Sequence, residues 1–186
     1  MLNARTLACL IVIAVATAAA ASSSTGTFFT TSALLKEIFK SSEKVSFVTF
    51  EKAPNQKKAD VVYVATTTRA GAVVVDGYAV VVDEIGQHEP ITFGIATDEA
   101  GVVTRVEVMA YREAYGGEIR SKRFLDQFAG VPQKSTDDVD AISGATLSVK
   151  SSKRAVARGL ALIARARAQA APSTPASPST QTQATP

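Results

Sequence analysis

From residue 61 to residue 111 the chain is rich in valine and threonine and broken by glycine and acidic turn signals, which restricts it to folds built on a sheet. Residues 61–66 and 72–82 are valine runs with scattered Thr and Tyr, suited to a pleated, packed surface. Asp76-Gly77 interrupts the second run as either a tight turn or a bulge, and the bulge is favoured. Residues 91–97 and 102–111 are joined by Asp98-Glu99-Ala100-Gly101, a hairpin signal. In the second of these, Val106, Val108 and Ala110 alternate with Arg105, Glu107 and Met109, which predicts one buried face.

Helical spacing flanks this block. Leu34, Leu35, Ile38 and Phe39 share one face of residues 32–44, with Lys36, Glu37 and Lys40 outward; residues 45–50 then read as a strand and 54–58 as a polar connection. Phe124, Leu125 and Phe128 lie on one helical face of residues 118–129, stopped by Gly130 and Pro132. A final helix starts at Leu147 or Ser148, with Val149, Val156, Leu160 and Ile163 spaced for burial and its charges elsewhere, as a solvated face. The order helix, strands, helix, helix predicts a single α+β domain over residues 32–168, a twisted and mostly antiparallel sheet flanked by helices. With 46% hydrophobic residues and no tryptophan, its core is expected to be Val, Ala, Ile and Leu.

The two ends differ from the middle. Arg5 precedes a charge-free run, residues 7–21, which ends in small residues offering A-x-A cleavage sites at Ala20 or Ala21. That layout is a secretory signal peptide over residues 1–21, or an uncleaved anchor, followed by a small polar linker over 22–31. An exported, extracytoplasmic protein is therefore expected. Cleavage would remove Cys9, the only cysteine, and with it any disulfide or thiolate chemistry. Residues 169–186 are Pro, Ser, Thr, Gln and Ala, a composition that cannot bury a core and is expected to be disordered.

Charge is segregated along the sequence. No acidic residue follows Asp140, whereas six of the 20 basic residues do, leaving 14 basic against 17 acidic before that point. The net charge of +3 thus comes from one terminal helix and is a poor footprint for nucleic acid. His88 is the only histidine and cannot assemble a histidine metal site; it reads as an exposed loop residue. Asp137, Asp138 and Asp140 lack the spacing and glycine of an EF-hand. Ser143 is not in a G-x-S-x-G elbow, so neither a metal centre nor a serine hydrolase is expected.

Chemistry concentrates in Asp140-Ala141-Ile142-Ser143-Gly144-Ala145-Thr146-Leu147-Ser148. Ser143, Gly144 and Ala145 are small enough for a ligand to approach the backbone, and a helix follows at once. Free N–H groups and the positive dipole end at such a start favour a phosphate. Ser143 and Ser148 offer hydroxyls, and Lys150 a positive charge one turn on. An anion site centred on Thr146 follows; a mere capping role for Thr146 or Ser148 is the plainer alternative.

The pattern D-x-x-S-G-A-T resembles the acceptor motif of FMN-binding domains. These occur in the flavin subunits of sodium-translocating NADH:quinone reductase and Rnf complexes, and in stand-alone exported relatives. Gly77-Tyr78-Ala79-Val80-Val81, Phe93-Gly94-Ile95, Tyr111-Arg112-Glu113, Gly116-Gly117-Glu118 and Phe124-Leu125-x-Gln127-Phe128-x-Gly130 follow as landmarks in family order, covering residues 34–163. One departure is Glu113-Ala114-Tyr115-Gly116-Gly117, where membrane-complex members carry Glu-Thr-Pro-Gly. That difference bears on the docking partner.

The resemblance implies FMN joined covalently through its phosphate to Thr146 by an FAD-dependent flavin transferase, with Asp140 ordering the acceptor loop. It implies that Glu113, Gly116 and Gly117 lie near the isoalloxazine edge, with Tyr111 or Tyr115 stacking on its face; the plainer alternative is that these tyrosines finish a strand and pack on the sheet while the glycines only make the turn. The function implied is an electron carrier between membrane or soluble redox partners, without independent turnover of a small substrate. The alternative is a non-redox module that holds a phosphorylated ligand reversibly on the Ser143–Ser148 loop; a third reading is a regulatory or scaffolding domain that senses flavinylation.

Overall fold

The computed structural model describes residues 26–51, 58–130 and 136–170. Its strands are β1 (Gly26–Thr27), β2 (Lys44–Thr49), β3 (Val61–Arg69), β4 (Ala72–Ile85), β5 (Pro90–Asp98) and β6 (Val103–Tyr111). They form one antiparallel sheet in the order β1-β6-β5-β4-β3-β2. The helices are α1 (Thr31–Ile38), α2 (Lys122–Leu125) and α3 (Thr146–Ala170). The α+β, mostly antiparallel reading is therefore correct. The expected signal segment, the 54–57 part of the polar connection and all but the first residues of the tail lie outside the described residues.

Hairpin chemistry sets the middle of the sheet. Asp98 closes the β5–β6 turn twice, its Oδ1 accepting from Val102 N–H at 2.9 Å and its carbonyl from Gly101 N–H at 3.1 Å. The register slips opposite Ala65 and Thr66, which face Gly77 and Val75, so Asp76 is the extra residue of a bulge. Its carboxylate accepts from Thr67 Oγ1 at 2.5 Å and pairs with Arg69.

Both faces of the sheet are covered. On one, Val62, Val80, Phe93, Ile95 and Val106 meet Val149, Val156, Leu160 and Ile163 of α3 in the main core. Gly159 lets the helix backbone come close to Ile95 and Val80. On the other, Ala65, Ala79 and Ala96 form a shallow floor on which Leu35, Ile38 and Phe39 pack. This second layer explains why Met109, expected to point outward, is buried with Val106 and Val108.

Three local expectations change. Gly26–Thr27, read as linker, pairs with Tyr111 and Ala110 as an edge strand, and Thr30 caps α1 by accepting from Ala33 N–H at 3.2 Å. The helix expected over 118–129 is three short pieces: 3-10 turns at Gly117–Arg120 and Asp126–Phe128 flank α2, with Ser121 extended (φ −62°, ψ 135°). Ile119 and Phe124 cannot share one helical face at a separation of five, and the break lets both be buried. Finally, much of the basic face of α3 is tied to the sheet rim. Arg154 pairs with Glu84 and Arg158 with Asp60, each at 2.7 Å, and Arg165 lies over the Phe50 ring.

Candidate functional site

Thr146 is the first residue of α3. The Ala145 carbonyl accepts from Val149 N–H at 2.9 Å, so the N–H groups of Thr146, Leu147 and Ser148 are left at the helix start; among the described residues they have no partner. Thr146 is exposed, and its hydroxyl makes no hydrogen bond to another described residue. The chain reaches it through Gly144 at φ +82°, with nothing within 4 Å of a Cβ placed there. Ser143 and Gly144 are exposed, whereas Ala145 is buried and anchors the turn. Beside this loop lies an open depression of about 500 Å³ whose lining includes Arg123, Phe124, Gln127, Asp140, Ile142 and Ser143. Lys150 is exposed one turn further along α3.

The end of β6 holds a second part of the site. Tyr111 is fully buried, so its ring offers no face to a ligand, whereas Tyr115 is 83% exposed. Of the two tyrosines proposed for stacking, only Tyr115 is accessible. The Tyr111 hydroxyl meets the Tyr115 carbonyl and, at 2.9 Å, Ser148 Oγ. A carbonyl only accepts, so Tyr111 donates to it and Ser148 donates to Tyr111. Burial pushes the Tyr111 pKa up, aided by the nearby Glu113 and Glu118 charges, and keeps the phenol protonated for this role. The Ser148 hydroxyl is thus engaged inside the protein, as a donor to Tyr111.

Gly116, at φ +84°, sits where a Cβ would collide with Ser148 Oγ and press on the Tyr111 hydroxyl. Glycine is required there both by conformation and by space. Glu113 is buried, and its Oε1 accepts from the N–H groups of Gln87, His88 and Glu89 at 2.5, 2.7 and 3.0 Å. Burial pushes its pKa up, but these three donors outweigh burial and hold it below the ordinary value. Its carboxylate therefore shapes the β4–β5 turn, to which the exposed His88 contributes its backbone N–H. Asp140 is fastened by its N–H to Gln127 Oε1 at 2.8 Å, and its side chain is exposed. No group of three or more candidate metal ligands occurs among the described residues.

The sequence therefore brings Ser143–Ser148 and Glu113–Gly117 together in space, about 30 positions apart in the chain. The fastenings that do it, Tyr111 to Ser148 and Gln127 to Asp140, had no signal in spacing or composition. Residues 86–161 match the family model described as FMN-binding domain. Over that segment the chain is similar to FMN-binding domains. No curated protein matches it. The matched FMN-binding segment runs from the turn that Glu113 closes, through β5, β6 and the acceptor loop, into α3, and contains every candidate site residue. It is narrower than the span of landmarks read from the sequence, leaving out Gly77-Tyr78-Ala79-Val80-Val81. The match supports FMN as the cofactor.

Proposed function

We propose that the protein is an exported electron-transfer flavoprotein carrying FMN as a phosphoester on Thr146. The observation that carries this reading is the free, exposed Thr146 hydroxyl at the first position of a long helix, inside the FMN-binding segment. The residues fit the group. A phosphate on Thr146 would lie among the N–H groups at the start of α3, with the helix dipole favouring its charge and Lys150 near. Ser143 and Gly144 leave the approach open, and the adjoining depression, lined by Arg123, Phe124 and Gln127 among others, suits a planar, partly polar ring.

Bound FMN supplies the one- or two-electron chemistry, and the protein sets its position and surroundings. The chain's own task as acceptor is to present one hydroxyl without competing partners, because a flavin transferase brings its own metal and electrostatics. A covalent tether also suits export: a cofactor lost outside the cytoplasm is diluted, whereas a tethered one keeps a high local concentration. Electrons would pass between membrane or soluble redox partners.

The same helix start would equally hold a phosphorylated ligand reversibly, and mass separates the two readings. Intact mass and in-gel flavin fluorescence are measured on denatured protein made with and without an active FAD-dependent flavin transferase. The covalent reading expects the mass of one FMN less water, only with the transferase and not in Thr146→Ala. Unmodified wild type beside a transferase shown to be active on another acceptor overturns it and leaves reversible binding.

A further inference from the structure

We propose that Tyr111 is the positioning residue of the acceptor: its hydroxyl locks the 113–117 loop and the first turn of α3 into one rigid unit. The inference rests on Thr146 as the acceptor and adds a residue that touches neither the flavin nor the reacting hydroxyl. Three observations carry it. The Tyr111 ring is fully buried, so the hydroxyl has a fixed origin. The run Ser148 hydroxyl to Tyr111 hydroxyl to Tyr115 carbonyl has only one possible donor order, so it fixes direction as well as distance. Gly116 is seated on the same two oxygens, closing the gap with backbone.

The consequence is local and specific. Ser148 lies two residues after Thr146, in the helical turn whose free N–H groups face the acceptor. Tyr115, whose carbonyl takes the other end of the run, carries the exposed ring. Loss of the Tyr111 hydroxyl therefore frees the helix start and the Tyr115 loop together, while the ring still fills its place in the core. Ser152 supplies a control: it is fully buried and donates to the Ser148 carbonyl at 2.9 Å, with no described contact to Tyr111.

The test uses the full chain and the variants Tyr111→Phe, Ser148→Ala, their double mutant and Ser152→Ala. Amide hydrogen exchange is measured on the unloaded proteins, and the initial rate of FMN attachment is measured with an active flavin transferase. Tyr111→Phe is expected to raise exchange at residues 113–117 and 145–149 together. Attachment is expected to slow about 3- to 10-fold, the worth of one net hydrogen bond. The double mutant should be no slower than the slower single, since both remove one linked interaction. Ser152→Ala should match wild type.

Independent exchange of the two segments in Tyr111→Phe, or single-mutant effects that multiply in the double mutant, overturns the proposal. If wild type takes no flavin at all, the acceptor reading falls, and joint or separate exchange of the two segments still decides whether Tyr111 couples them.

Discussion

Gly86 backs directly onto the Glu113 carboxylate: a Cβ at Gly86 would strike Oε1, and would lie 3.1 Å from both Glu113 Cγ and Ile91 Cδ1. The carboxylate cannot swing aside, because the same oxygen is held by Gln87, His88 and Glu89. The turn, the glycine and the acid thus form one packed unit at the start of the FMN-binding segment.

Gly86→Ala is therefore expected to destabilise the protein by about 1–3 kcal/mol, the usual cost of overpacking. Urea unfolding checks it. Glu113→Ala, which leaves the three N–H groups without their acceptor, should cost about 2–4 kcal/mol, and combining it with Gly86→Ala should cost less than the two in sum.

Acid should act through the same residue. Glu113 has a folded pKa below its ordinary value of 4.5, so its contribution to stability is complete at neutral pH. It is lost as pH falls below the unfolded value and through the lower folded one. Glu113→Gln should be less stable than wild type at pH 7, and the difference should shrink as unfolding is followed down to pH 3. A constant difference across that range would assign the effect to shape instead of charge.

What was legible in the sequence was whatever depends on neighbours in the chain. The Asp98–Gly101 hairpin, the bulge at Asp76 and a helix start beside Thr146 all follow from local turn chemistry and spacing. What was not legible depends on remote partners. Two residues, Gly26 and Thr27, have no periodicity of their own and become a strand only because β6 is there to pair with. The bond between Ser148 and Tyr111, 37 residues earlier, has no local signal either. Arg154 and Arg158 read as solvated charge until Glu84 and Asp60 are placed beneath them.

Gly159 tests the seating of α3. Alanine there gains about 1 kcal/mol of helix propensity over glycine. Its Cβ would also lie 2.6 Å from Ile95 Cδ1 and 3.1 Å from Val80 Cγ1. The Ile95 tip can rotate, so Gly159→Ala should come out within about 1 kcal/mol of wild type by urea unfolding, whereas Gly159→Leu should lose about 3 kcal/mol. A stabilised Leu variant would mean that the helix can stand off from the sheet.

Gly144 separates backbone from steric control of the acceptor. Its φ of +82° is one that residues with a Cβ resist, yet nothing lies within 4 Å of where that Cβ would be. Any cost of a side chain within the domain is therefore conformational. Alanine should cost about 1–2 kcal/mol in the left-handed region, and asparagine less, because its short polar side chain tolerates that region. Thermal unfolding should accordingly rank Gly144 above Asn above Ala, and FMN attachment to Thr146 should fall in the same order. If Asn and Ala instead keep full stability but block attachment equally, the side chain obstructs the transferase. The glycine would then serve access to Thr146, with the shape of the loop left intact.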